Sequence, residues 1–77
     1  MSYAIRTEAP VKDTNSYHTI KRAINAAQQH SNLTGYDVQV INEDDDSLMV
    51  HVSHAYVDKY GHLHRQRTYM VQDDKEV

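Results

Sequence analysis

The feature that most constrains the fold of this sequence is one helical stripe in the first half of the chain. Residues at alternating spacings of three and four lie on one face of an α-helix, and the chain shows this spacing at Tyr17, Ile20, Ile24, Ala27 and Ser31. Residues 13–16 are helix-capping residue types, and Asn32 and Gly35 tolerate the left-handed dihedrals that end helices. We therefore expect one helix that begins after this capping cluster and ends around residues 30–33.

Alternating polar and apolar residues on both sides of the helix predict β-strands. The first covers Tyr3–Thr7 and should end near Pro10, which cannot donate to a sheet. Three more are expected near 36–41, 48–56 and 62–71. The sequence therefore predicts an α+β fold in the order β-α-β-β-β, with one amphipathic helix packed on a three- to four-stranded, mostly antiparallel sheet. The place of the first strand in that sheet stays open.

The turn between the last two predicted strands allows two registers. Residues 58–61 are typical of a β-turn with its glycine in the left-handed region. A three-residue loop would place Val50 beside Met70, whereas a four-residue loop would place Val50 beside Tyr69. Burial favours the four-residue loop, or a bulge that restores its pattern, because it gathers the apolar residues of both strands on one face. The opposite face would then carry Met49, Ala55, Val57 and Met70.

A chain of 77 residues without cysteine has neither a disulfide nor a thiolate metal site to support a small core. We expect one domain over residues 1–77, with 72–77 as a flexible acidic tail. The half-apolar second face predicts a homodimer. The sequence shows no apolar run of signal-peptide or membrane-spanning type, so we expect a cytoplasmic protein without membrane contact.

The net charge of −3 conceals an uneven distribution of charge along the chain. Residues 36–47 carry five acidic side chains and no basic one, and four of the five are consecutive in 43–46. Residues 48–71 carry three basic side chains against one acidic side chain, with four of the six histidines. We therefore expect a bipolar molecule with an acidic loop and a mildly basic hairpin. The acidic run lacks the glycine and distal glutamate of a calcium loop.

The histidines of the hairpin raise the question of a metal site. Zinc requires three or four ligands at about 2 Å. His51 and His54 should face opposite sides of a strand because their separation is odd. In the register that burial favours, His51 and His64 lie on the order of 13 Å apart. We therefore expect no metal and no cofactor. Imidazoles titrate near pH 6.5, so binding by a hairpin with four histidines should change between about pH 7.5 and 5.5.

No enzyme is expected from this sequence. It has no cysteine nucleophile, no Gly-x-Ser-x-Gly motif and only two glycines in total, so it cannot form a glycine-rich phosphate loop. A single thin core also leaves little room for a deep pocket.

Two binding functions are consistent with the sequence. The first is a small non-enzymatic protein-binding module, such as an inhibitor or modulator of a larger assembly of the phage or mobile-element accessory type. An acidic loop would steer the encounter and tyrosines would anchor it, through Glu43, Asp44, Asp45, Asp46, Tyr56 and Tyr60. The alternative is a nucleic-acid-binding domain whose basic side chains contact phosphates beside stacking rings, through Lys21, Arg22, Lys59, His64, Arg65 and Arg67.

Overall fold

The predicted fold class is confirmed by a computed structural model, which describes residues 2–71 and 75–76. One helix packs on an antiparallel sheet, in an α+β arrangement. The elements are, in chain order, β1 Tyr3–Thr7, β2 Ser16–Tyr17, α1 Ile20–Thr34, β3 Val38–Asn42, β4 Leu48–Ser53, β5 Tyr56–Val57, β6 Leu63–His64, β7 Arg67–Met70 and β8 Lys75–Glu76.

The sheet has more strands than the sequence predicts. Among the described residues, six strands pair in the order β2-β1-β3-β4-β7-β8, and β5 pairs with β6 in a separate two-stranded sheet. The first strand has the predicted bounds and lies between β2 and β3. Of the predicted tail 72–77, Lys75–Glu76 pair with Tyr69 and Met70, and 72–74 and 77 lie outside the described residues.

The helix begins later than the capping cluster predicts. Its N-cap is Thr19, whose Oγ1 accepts the Arg22 N–H at 3.2 Å. The predicted cap at 13–16 is wrong because Asp13 accepts hydrogen bonds within its own loop, and Ser16–Tyr17 pair with β1 as β2. At the other end Gly35 has φ 74° and donates its N–H to Ser31 O at 2.8 Å. The helix therefore ends at Thr34, just beyond the predicted range.

The core lies between the helix and one face of the sheet. Ala23 and Ala27 have no exposed surface, so the helix backbone approaches the strands closely. Four valines of the two central strands are also fully buried: Val38, Val40, Val50 and Val52. The predicted apolar stripe is confirmed from Ile20 onward, since Ile20 and Ile24 pack against this core cluster and Ala27 and Ser31 are buried. Its first member, Tyr17, also packs against the core but lies in β2 and not in the helix.

The register of the last hairpin is the one that burial arguments disfavour. Val50 pairs with Met70 and Val52 with Thr68, as a three-residue loop requires, so the preferred four-residue loop is wrong. The turn explains the outcome. Gly61 has φ 82° and donates its N–H to Asp58 O at 3.0 Å, which places the left-handed residue where a three-residue hairpin loop needs it.

This register changes which residues the helix covers. Thr68 is buried, and its Oγ1 accepts the side-chain N–H of Gln28 at 2.9 Å. Met70 pairs with the buried Val50 and packs against the core, so its predicted place on a second apolar face is wrong. Met49 also packs against the core, because it lies where the register of β3 and β4 shifts. The register pairs instead give the face opposite the helix a polar row across β1, β3, β4 and β7, formed by Arg6, Gln39, His51 and Tyr69.

Candidate functional site

A two-stranded hairpin extends beyond the sheet, and we call residues 56–64 the arm. It consists of β5, the turn at residues 58–61 and β6, with pairs Tyr56–His64 and Val57–Leu63. Within the described residues, four of the eight exposed large hydrophobic side chains lie in it: Tyr56, Val57, Tyr60 and Leu63. The arm thus carries half of the large exposed apolar side chains among the described residues.

The base of the arm is anchored to the helix. Gln66 follows β6 and donates from Nε2 to the carbonyl oxygen of Gln28 at 2.9 Å and to Oδ1 of Asn32 at 3.0 Å. These bonds fix the point at which the chain leaves the arm and enters β7. The arm is therefore a projecting hairpin on a defined base.

One face of the arm is an ordered aromatic cluster. The ring of Tyr56 stacks on His64 with centroids 4.6 Å apart and planes 10° from parallel, and His54 lies 5.6 Å from Tyr56. Nε2 of His64 lies 2.9 Å from Asp58 Oδ2. The hydrogen bond with His64 and the His62 N–H both hold the pKa of Asp58 below its usual value. This carboxylate therefore orients the ring that supports Tyr56.

A shallow groove of about 260 Å³ runs along the base of the arm, and we call it the arm groove. It is lined by Ser53, His54, Tyr56, His64, Arg65, Arg67 and Tyr69. Arg67 donates to Tyr69 OH at 3.4 Å. Arg65 is exposed and makes no hydrogen bond or ion pair to any described residue. Apart from Ser53, the described residues that line the groove are cationic or aromatic, and none of them carries a carboxylate.

A second groove, of about 670 Å³, opens beside the start of β3, and we call it the histidine groove. Its lining includes Arg6, Glu8, Asp37, His51 and His54. The Asp37 carboxylate lies 3.5 Å from Nε2 of His51 and accepts the backbone N–H of His54 at 2.9 Å. The prediction that His51 and His54 face opposite sides is wrong here, because β4 ends at Ser53 and the chain then turns toward Asp37.

The pKa of Asp37 reflects two opposing effects. Partial burial raises it, but the hydrogen bonds from the backbone N–H and the ring of His54 outweigh burial and hold it below its usual value. Charge attraction from His54 and His51 acts in the same direction. The Asp37 carboxylate is therefore ionised at neutral pH and contacts the imidazole rings of both His51 and His54.

The predicted acidic loop, Glu43 to Asp46, is a tight exposed turn between β3 and β4. Asp44 donates its N–H to Asn42 Oδ1 at 2.9 Å, and Asp45 Oδ1 accepts the Ser47 N–H at 3.0 Å. Hydrogen bonds from Ser47 hold the pKa of Asp45 below its usual value. The four acidic residues thus project from one ordered turn.

The acidic turn and the arm lie at opposite ends of β4. That strand has six residues, a length of about 20 Å, and the molecule extends 43 Å along its longest axis. The structure therefore does not bring Glu43, Asp44, Asp45 and Asp46 together with Tyr56 and Tyr60.

The residues predicted for the nucleic-acid alternative also lie in two separate regions of the structure. Lys21 and Arg22 are exposed in the first turn of α1, which begins just after β2. Tyr17 of β2 pairs with Tyr3, and Tyr3 with Asn42 beside the acidic turn. The remaining four lie in or beside the arm: Lys59, His64, Arg65 and Arg67. Lys59 Nζ lies 5.2 Å from the centroid of the Tyr60 ring.

Comparisons with known proteins do not extend this description. No protein-family model matches the chain, and neither a curated protein nor a solved structure shows significant similarity to it. In the part of the chain that the structure describes, no three histidine, aspartate or glutamate side chains are arranged to hold a metal ion. No helix there is long and apolar enough to cross a membrane.

Proposed function

We propose that this protein is a small non-enzymatic protein-binding module, an inhibitor or modulator of a larger assembly, and that the arm is its contact surface. The observation that carries the proposal is the cross-strand pair of Val57 and Leu63, exposed by 64% and 58%. Contiguous apolar surface of this kind typically marks an interaction site, because a partner that covers it removes it from water.

The tyrosines of the arm support the same reading. Tyr60 lies at the tip and is 73% exposed. Tyr56 is held by its stack on His64, so a partner would meet a ring that is already ordered. Ordered aromatic side chains lose little conformational freedom on binding, which favours them as interface anchors.

The acidic turn lies too far from the arm to take part in a partner contact that is centred on the arm. Its contribution would be electrostatic steering toward a basic region of the partner. The proposal therefore assigns the contact itself to the arm.

Two matched double variants test this proposal. Val57→Ser with Leu63→Ser makes the arm polar. Val11→Ser with Leu33→Ser makes the same chemical change at sites outside the arm that are 66% and 86% exposed. In affinity capture from the source cells followed by mass spectrometry, the wild type and the Val11/Leu33 variant should retain a common partner that the arm variant loses. Equal retention by the arm variant would refute the proposal.

A second copy of the chain is the other protein partner to consider, because homodimerisation stays a prediction. Met49 and Met70 pack against the core and are not free for a dimer contact. A second copy could instead contact the exposed side chains of Val57 and Leu63 in the arm. Sedimentation velocity over a hundredfold concentration range identifies this case. A mass that rises with concentration in the wild type, and not in the arm variant, would make the partner a second copy.

Nucleic-acid binding is a second candidate because Arg65 and Arg67 line one groove with Tyr56 and Tyr69. Basic side chains beside aromatic rings are typical of single-strand binding sites. A fluorescence titration with single-stranded DNA at low and moderate salt tests it. Binding that weakens with salt would support this function, and no binding near 50 mM salt would exclude it.

A further inference from the structure

The two grooves differ in the charge of the side chains that line them. The histidine groove contains Arg6 together with the carboxylates of Glu8 and Asp37. The arm groove contains Arg65 and Arg67, and no acidic side chain is among the described residues that line it. The nearest acid of the arm, Asp58, is already hydrogen-bonded to His64 and to two backbone N–H groups. A negatively charged ligand is therefore favoured at the arm groove.

We propose that the arm groove binds a carboxylate-bearing segment of the partner protein, an inference that rests on the proposed function of the arm. Arg65 presents a guanidinium that no described residue engages, and such a group binds a carboxylate in a planar two-bonded geometry. Nε2 of His54 and Nδ1 of His64 also make no hydrogen bond to the described residues, because each ring uses its other nitrogen. Because the Asp37 and Asp58 carboxylates accept the N–H of these rings, the second nitrogen of a neutral ring is an acceptor, and the donor to a bound carboxylate is Arg65.

A protein segment fits this groove better than a nucleic acid does. Base stacking needs an accessible ring face, and the Tyr56 ring already stacks on His64 with His54 beside it. A base would have to compete with these internal contacts. The chain also has a net charge of −3, which repels a long polyanion more than a short acidic peptide.

Fluorescence anisotropy with a labelled eight-residue peptide of alternating glutamate and glycine tests the inference. The comparison ligands are the same peptide with glutamine for glutamate, and an eight-nucleotide thymidine strand. At 50 mM salt the glutamate peptide should bind the wild type more tightly than either comparison ligand. Its binding should weaken as salt is raised, because the contact is solvent-exposed.

Substitutions at Arg65 locate the binding site. Arg65→Gln should weaken binding about three- to fivefold, as expected for one exposed charge pair. Arg65→Glu should weaken it further, and Arg65→Lys should retain part of it. Arg22→Gln is the matched control, because Arg22 is an exposed arginine in the first turn of α1, away from the arm. Thermal unfolding of each variant confirms that the fold is kept.

Several outcomes would overturn the inference: no binding of the glutamate peptide, equal binding of the glutamine peptide, tighter binding of the thymidine strand, or no effect of Arg65→Glu. If a cellular partner is still lost on substitution of Val57 and Leu63 while the glutamate peptide does not bind, the arm binds protein without carboxylate recognition. The proposed function then stands and this inference fails.

Discussion

The carboxylate of Asp37 accepts the backbone N–H of His54 at 2.9 Å and lies 2.5 Å from Nδ1 of the same residue. One side chain just before β3 thereby fixes both the backbone and the ring of the residue that follows β4. Because His54 also lines the arm groove, this contact links the sheet to the candidate site.

Asp37→Asn should make the stability of the protein less dependent on pH. The pKa of Asp37 is lowered in the folded state, so its stabilisation is present above the unfolded pKa of about 3.9 and is lost as the pH falls through the folded value. At pH 7 we expect a loss of roughly 0.5–1 kcal/mol, a small effect because the side chain is half exposed.

Urea denaturation from pH 7 to pH 2 measures this difference. The gap between the wild type and the Asp37→Asn variant should close as the pH falls below about 4. Asp44→Asn is the control, because its carboxylate makes no hydrogen bond to the described residues. A constant gap across the range would show that Asp37 acts by packing alone.

Gly61→Ala should loosen the arm. A Cβ at this position would have nothing within 4 Å, so the cost comes from the backbone, whose φ is 82°. A left-handed conformation costs a non-glycine residue about 1 kcal/mol or more, which corresponds to a several-fold faster exchange of the Asp58 amide that bonds to His62 O. Gly35→Ala, at φ 74° with equal space, is the matched control and should leave that exchange unchanged.

Gln28 and Thr68 should be energetically coupled. Their side-chain hydrogen bond is partly buried, and a double-mutant cycle of Gln28→Met with Thr68→Val should give a coupling of about 0.5–1.5 kcal/mol. The same measurement tests the hairpin register. In the alternative register Thr68 would face away from the helix, and the coupling would be zero.

Ser31→Ala should stabilise the protein. The Ser31 hydroxyl is buried under the helix and has no hydrogen-bond partner among the described residues. Removing an unpaired buried polar group, and replacing serine with the best helix former, should raise the free energy of unfolding by about 1 kcal/mol. Gln29→Ala, an exposed change in the same helix, should give a smaller gain in urea denaturation. A loss of stability at Ser31 would mean that its hydroxyl has a partner.

Local patterns predict the framework of this fold well, because those patterns are imposed by burial. The alternation in Tyr3–Thr7 gives β1 its observed bounds, and the stripe from Ile20 to Ser31 identifies the face of the helix that packs on the sheet. The helix start is missed because several residues before Ile20 have capping side chains, and pairing of Ser16–Tyr17 with β1 leaves Thr19 as the residue whose side chain accepts the first-turn Arg22 N–H.

The register of the hairpin is missed because two physical effects compete there. The number of apolar residues on one face favours the register that turns Tyr69 toward the core. The turn at Asp58 and Gly61 favours the register that turns Thr68 toward the core. The turn determines the outcome because Asp58 satisfies the N–H groups of Tyr60 and His62 as well. Aspartate at the first turn position is a sequence signal for this geometry.

The candidate site is only partly visible in the sequence. His64, Arg65 and Arg67 are recognisable as a basic and aromatic group, and the structure places them in or beside one groove. The role of Asp37 carries no local signal, because His54 is 17 positions away along the chain and the contact depends on where β4 ends.

The pairing of the last hairpin also constrains how the length of this chain could vary. The arm continues the same pairing as β4 and β7, with Tyr56 opposite His64 and Val50 opposite Met70. One residue added to each strand of the arm would lengthen the arm and keep all the existing cross-strand pairs. A single inserted residue would need a bulge, or it would turn Tyr69 inward and Thr68 outward. Natural variants of this protein should therefore have arms that differ in length by even numbers of residues.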